Sequence, residues 1–161
     1  MKTVELPVIG IIRTQHRSVE NMPIQSAGAD DEPGMIELDP DLVDGLLDLE
    51  HFSHIILLYH FHQQKAYKLK VKPFMDNQEH GVFATRSPKH PAAIGLSIVR
   101  LTKIDGNHLY FMGADMLDET PLIDIKPFFR NFDNRLDAVS GWLDQKAKDE
   151  IKNVRSDKRF K

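Results

Sequence analysis

The sequence predicts a mainly β domain with a few peripheral helices, and three features carry that reading. Ile98 to Ile104 and His108 to Met112 are β-prone runs separated by Asp105-Gly106-Asn107, and an Asp-Gly step between such runs signals a hairpin. Ser53 to His62 is a second β-prone run, whose unbroken Ile-Ile-Leu-Leu centre predicts burial on both faces. Val4 to Thr14, rich in Val and Ile, reads as a first strand in which Pro7 marks an edge or a bulge.

The remaining elements follow in order. Gln15 to Pro33 is polar and irregular, a long loop for a compact domain, and such loops are usually functional or mobile. Gly34 to Leu38 makes a short strand. Asp39 then caps a helix with Pro40 at its first position, and Leu42, Val43, Leu46, Leu47 and Leu49 give it an apolar face. Its acidic residues Asp41, Asp44, Asp48 and Glu50 form the solvated side. Lys65 is followed by Lys68, Lys70 and Lys72, which alternate with Leu69 and Val71. That row of ammonium groups is either an edge strand guarded against mispairing or a phosphate-tracking stripe for RNA. Gly81 to Thr85 reads as a strand delivering Arg86 and Ser87 to a loop. Arg130 to Arg135 reads as a polar connector, and Asp137 to Val154 as a helix with Ala138, Gly141, Trp142 and Ala147 packed. The basic tail from Lys152 to Lys161 is a flexible solvated end or an RNA contact.

Composition narrows the class. A chain of 161 residues fits one domain with a sizeable core, and 41% hydrophobic with 28% charged residues is ordinary for a soluble globular protein rather than a disordered or fibrous one. The absence of cysteine rules out disulfides, a thiolate nucleophile and Cys-based metal centres, and agrees with a cytoplasmic setting. The N-terminus lacks a signal-peptide core, and the longest apolar run, Ile55 to Tyr59, is far short of the roughly 20 residues a bilayer requires, so no membrane partner is expected. A net charge of −3 demands a local basic surface for any nucleic-acid partner. No glycine-rich nucleotide motif is present, which disfavours a Rossmann methyltransferase or a P-loop enzyme.

Chemistry concentrates in two motifs that flank the hairpin, Arg86 to Ser97 and Asp115 to Phe128. Both are rich in Pro, Gly, Asp and Ser and keep apolar anchors, which suggests loops of fixed shape brought together in space. Gly95 allows close approach of a neighbour or a ligand. Such loops are where function usually sits, and the plain alternative is a set of tight turns in a small β domain. His54, His60 and His62 share one face of their strand, but no carboxylate falls at matching spacing, so no metal site is assigned.

Arg86 to Ser97, Leu117-Asp118-Glu119-Thr120-Pro121 and Asp124-Ile125-Lys126-Pro127 resemble the signature of the TrmO (TsaA-like) family. Ile9 to Thr14, Pro23-Ile24-Gln25 and Leu58 to His62 fit as well, so the resemblance runs from about Val4 to Phe128. It implies a small closed or partly open β-barrel over residues 1–135, with a C-terminal helix and basic tail over 136–161. It further implies a homodimer that binds S-adenosylmethionine and methylates N6 of threonylcarbamoylated adenosine beside a tRNA anticodon. The cofactor-binding positions it implies are Gln25, Phe61, His62, Arg86, Ser87, His90, Leu96, Asp118, Thr120 and Pro121. Asp118 and Asp124 are candidates to accept the proton of the exocyclic amine, and Lys126 to neutralise RNA phosphate. For Asp124 and Lys126 the alternative is a local ion pair at a strand end. The chain departs from the family pattern at Ala92-Ala93 (Asn-Pro in the family), Glu119 (Gly) and Phe128 (Tyr). Those departures set a second reading beside the first: a barrel that binds S-adenosylmethionine without catalysing tRNA methylation.

Overall fold

The computed structural model describes residues 1–145 and 154–157. The described residues form eight strands: β1 (Gly10–Thr14), β2 (Pro33–Leu38), β3 (His54–His60), β4 (Lys70–Val71), β5 (His80–Gly81), β6 (Ile94–Asp105), β7 (His108–Met112) and β8 (Thr120–Pro127). Six close into an antiparallel barrel in the order β1-β2-β7-β6-β3-β8, with β8 pairing back to β1, while β4 and β5 form a separate ribbon. Closure leaves these strands without a free edge.

Period-two alternation places the core. Ile12, Ile36, Ile55, Leu57, Leu109 and Leu122 are fully buried inside the barrel. Along β3 the outward residues His54, Ile56, Leu58 and His60 are half-buried, so the burial expected on both faces is complete on one only. The hairpin forms as its sequence predicts, with Gly106 at φ +59 in the turn between β6 and β7 and a bulge between Leu101 and Lys103. Gly95 has a packing reason: a Cβ there would lie 2.2 Å from the Tyr59 ring.

Several elements differ from expectation. The first strand begins at Gly10, and Val4, Leu6 and Val8 are exposed, because the ladder starts only where the Ile9 amide reaches the Leu122 carbonyl at 2.9 Å, beyond the donorless Pro7. Asp39 caps its helix, accepting from the Asp41 amide at 3.0 Å, but that helix is a 3-10 turn over Pro40–Leu46, followed by Asp48 at φ +66 and a second turn over Leu49–His51. With three residues per turn, Val43, Leu46 and Leu49 face inward and Leu42 and Leu47 are left in solvent. The lysine strand shrinks to Lys70–Val71, and Gly81 leads into a 3-10 turn over Val82–Ala84 that buries Val82 and exposes Phe83. Ile94 to Ser97 and Thr120 to Pro127 are barrel strand rather than loop.

Beyond the barrel, Arg130–Asp133 is one turn of helix where a connector was expected. The helix expected from Asp137 is absent through Ser140, Ala138 is exposed, and Gly141–Gln145 is a 3-10 turn. Ala147, Lys152, Lys158, Arg159 and Lys161 lie outside the described residues. Val154 to Asp157 is no free end: Arg155 bridges to Pro23, and the Ser156 amide donates to the Met22 carbonyl at 2.9 Å. Among the described residues no helix is long and apolar enough to cross a membrane.

Two substitutions test the backbone reading in opposite directions. Glu119 sits at φ +63, a left-handed conformation that strains any side chain with a Cβ. Glu119→Gly should therefore raise stability in urea unfolding by about 0.5–1 kcal/mol. Gly95→Ala should lower it by about 1–3 kcal/mol, because the methyl enters the Tyr59 ring.

Candidate functional site

A cavity of about 650 Å³ opens at the barrel end where β3 stops and β6 and β8 begin. Its walls come from the chain around Pro23 to Ser26, the end of β3 with Phe61 and His62, the Arg86 to His90 loop, the start of β6, and Asp115 to Leu117. The segment after β7 is held in place from several sides. Amides of Gly113 and Ala114 both donate to the Glu32 carbonyl, the Thr14 hydroxyl donates to the Met116 carbonyl at 3.0 Å, and the His16 Nε2 lies 3.1 Å from the Ala114 carbonyl. Such redundancy fixes a loop that strand pairing alone would leave free.

Behind the cavity wall a polar chain joins the two motifs. The Ser97 hydroxyl donates to Asp115 Oδ1 at 2.6 Å, and the Tyr59 hydroxyl lies 3.0 Å from the same Ser97 oxygen. Ser97 and Tyr59 are buried, whereas Asp115 is half-buried and lines the cavity. Burial pushes the Asp115 carboxyl up to about 6, against hydrogen bonds from Ser97 and from the amides of Asp115 and Ser26 and the more distant Arg86, all of which favour the ionised form. Burial likewise drives the Tyr59 phenol well above its usual range, with the Asp115 charge adding to the effect. The result is two carboxylates, Asp115 and Asp157, and one exposed guanidinium, Arg86, on the walls of a cavity otherwise lined largely by apolar groups.

Most positions expected at a cofactor converge here. Gln25, Phe61, His62, Arg86, Ser87, His90, Leu96 and Thr120 all line the cavity. Phe61 is anchored by its amide to the Ala93 carbonyl at 2.8 Å and by an edge contact to Tyr59 at 5.5 Å. His90 is oriented by its Nε2, 3.0 Å from the Thr85 carbonyl. Asp118 and Pro121 are not among the lining residues. Pro121 pairs with Ile11 in the barrel seam, and Asp118 works as a clamp: Oδ1 accepts from the Thr14 amide at 3.1 Å, while Oδ2 meets Arg17 at 2.8 Å. Asp124 and Lys126 form an ion pair of 2.7 Å on β8, away from the cavity. Ala93 stands at φ +49, where a proline cannot sit, so the proline of the family pattern would not fit this backbone.

Several residues of the site were not assigned to it from the sequence. Tyr59 and Asp115 line the cavity and Ser97 lies behind them, and a signal was available: Ser97 is a polar residue in the inward phase of an apolar strand, and Asp115 stands between the buried Ala114 and Met116. Trp142, Leu143 and Ser156 reach the cavity from the C-terminal segment. The Trp142 indole N–H donates to the Ala84 carbonyl at 2.8 Å and its ring stacks on His80 at 4.6 Å, contacts that no local pattern announces.

Comparison with known proteins decides the family. The model of the tRNA-methyltransferase O N-terminal domain matches residues 11–134. The chain belongs to the tRNA-methyltransferase O family. It is 45% identical to a protein of Pyrococcus abyssi named a probable S-adenosyl-L-methionine-binding protein, over 94% of this chain and 82% of the relative. A tRNA (adenine(37)-N6)-methyltransferase of Mus musculus is 45% identical over 55% of this chain and 21% of its own length. The crystal structure of TrmO from Pseudomonas aeruginosa superposes with a TM-score of 0.74 at 36% identity, over 88% of this chain and 63% of that one. The chain therefore spans less than two thirds of that TrmO chain and about a fifth of the mouse enzyme.

The polar chain has a measurable consequence. An aspartate carboxyl ionises near 4 when unfolded and at about 6 here, so the folded state binds more protons in that window and stability declines as pH rises through it. Urea unfolding should show a decline between pH 4 and 7 that is smaller in Asp115→Asn by on the order of 1–3 kcal/mol. Equal declines in both proteins would contradict a buried, ionising Asp115.

Proposed function

We propose that the protein is an S-adenosylmethionine-dependent methyltransferase that acts on N6 of threonylcarbamoyladenosine beside the anticodon of tRNA, in the cytoplasm. The observation that carries this reading is the convergence of Gln25, Phe61, His62, Arg86, Leu96 and Thr120, from separated stretches of chain, on a single cavity that also holds Asp115. A volume of about 650 Å³ suits a nucleoside-sized ligand. Its donor set suits this one: a guanidinium for a carboxylate, a carboxylate for an ammonium or sulfonium, and apolar walls for an adenine ring.

The cofactor supplies an electrophilic methyl group on a cationic sulfur. Arg86 would pair with the ligand's carboxylate, and Asp115 would hold its cationic part. Phe61, Leu96 and Met116 cover apolar surface and exclude water, while Gln25 and His62 offer hydrogen bonds to hydroxyls or ring nitrogens. Holding donor carbon and acceptor nitrogen in line is the main contribution asked of the protein. Asp118 contributes by fixing the Asp115 to Thr120 turn through Thr14 and Arg17.

The same reading includes a homodimer. Ile94, Leu96 and Ile98 are 42%, 44% and 37% exposed on the outer face of β6, and Leu96 and Ile98 pair with Leu58 and Ile56 of β3. Ile94 and Leu96 also line the cavity, so a second copy seated on this apolar stripe would shield its open side. Asp124 and Lys126 lie opposite Leu58 and Ile56 on β8 and would border that contact, so their roles as proton acceptor and phosphate partner would be exercised toward the cavity of the second copy.

A second reading, cofactor binding without methyl transfer, is favoured by the relative that matches nearly the whole chain, whose name specifies binding alone. Calorimetry with S-adenosylmethionine and label transfer to tRNA carrying unmethylated threonylcarbamoyladenosine separate the two. The proposed function predicts both binding and transfer, with Arg86→Ala weakening cofactor affinity by roughly tenfold or more through loss of a charge-assisted pair. Binding without transfer establishes the second reading. An absence of binding overturns both.

A further inference from the structure

Lys89 is an anomaly in this structure. It retains only 8% of its accessibility, yet no carboxylate answers it: among the described residues neither Lys89 nor Lys68 forms an ion pair. Lys68 lies alongside, its amide donating to the Lys89 carbonyl at 3.1 Å. Burial and the neighbouring Lys68 charge both lower the Lys89 ammonium below its usual range. The Lys89 stem is covered while its ammonium stays within reach of solvent, and the like charge of Lys68 beside it favours an anion that meets both.

Position indicates which anion. Lys89 belongs to the loop whose Ser87, Pro88 and His90 line the cavity, whereas Lys89 itself is not a lining residue. Tyr67, 49% exposed, precedes Lys68 and offers a ring face to a base. Lys65, Lys68, Lys70 and Lys72 are all exposed in the same stretch, so Lys89 alone has its side chain largely covered and stands beside a solvated row. With a net charge of −3 overall, a nucleic-acid partner would need its basic surface concentrated in one place.

We propose that Lys89 and Lys68 form a phosphate subsite that grips the backbone of an RNA beside the cavity. This rests on the proposed tRNA substrate and deepens it, because the subsite would set where the strand runs as its base enters the site. Phosphate contacts of this kind position a substrate without reading its sequence.

The test uses a fluorescent anticodon stem-loop RNA, the full chain, and the variants Lys89→Met and Lys68→Ala. Titrations between about 50 and 200 mM salt should show each variant binding roughly 3- to 10-fold more weakly at the low end, with the salt slope reduced by about 1. S-adenosylmethionine affinity should not change. Lys89→Met should also melt higher than the wild type at low salt, since it keeps the aliphatic stem and removes an unanswered charge; a purely structural lysine would give the opposite shift. RNA binding indifferent to both substitutions overturns the subsite and leaves the methyl-transfer reading standing. Binding that depends on Lys89 without methyl transfer to the RNA keeps the subsite and sinks that reading. A wild-type chain that does not bind the RNA defeats the subsite and the tRNA substrate together.

Discussion

Barrel closure rests on a short seam. Only Gly10 with Leu122, Ile11 with Pro121 and Ile12 with Thr120 pair β1 to β8, and Pro121 has no amide to contribute. The seam is reinforced just beyond its end, where Thr14 and Arg17 hold both oxygens of Asp118 and the Thr14 hydroxyl holds Met116. The side chains that close the barrel thus also fix the turn presenting Asp115 and Thr120. Fold and site share these contacts, so a substitution at Asp118 disturbs both, and loss of activity there would not by itself mark a catalytic residue.

The interior shows a second division of labour. Tyr59 occupies the space that Gly95 leaves free and directs its hydroxyl to Ser97, which directs its own to Asp115. Each polar atom in this chain has a partner, so burial of Tyr59 and Ser97 costs little. The carboxylate at its end is different, since it keeps part of its surface toward the cavity. A ligand cation completes what the protein leaves incomplete, and binding there adds to stability by mass action.

The fold was legible in the sequence where a pattern is local. The Asp105-Gly106-Asn107 hairpin, the Asp39 cap and the alternation of β3 all follow from neighbouring residues. Boundaries failed where hydrogen bonding with distant strands decides them: Val4 to Val8 has strand composition but meets no partner, and Thr120 to Pro127 has loop composition but lies between two partners. Leu42 and Leu47 misled because spacing read at 3.6 residues per turn does not apply to a 3-10 turn. For the site, motif resemblance named the positions from Arg86 to Leu96 that line the cavity, because those residues sit in one continuous loop and strand entry. It did not bring in Trp142 or Ser156, whose approach depends on how the segment after the barrel returns.

Asp115 and Lys89 together suggest why this end of the barrel is the functional one. Burial works against the charge on both, raising the carboxyl and lowering the ammonium. A sequence selected for stability alone would favour neutral side chains at both positions, since desolvation works against each charge. Under the proposed function their signs would suit different parts of one reaction: a carboxylate inside the cavity for a cationic methyl donor, and an ammonium outside it for a polyanionic acceptor. Were the signs exchanged, the donor would be repelled from the cavity and the acceptor from its rim. Under the proposed function a complex holding both ligands is favoured, because each meets a charge that desolvation disfavours in the free protein.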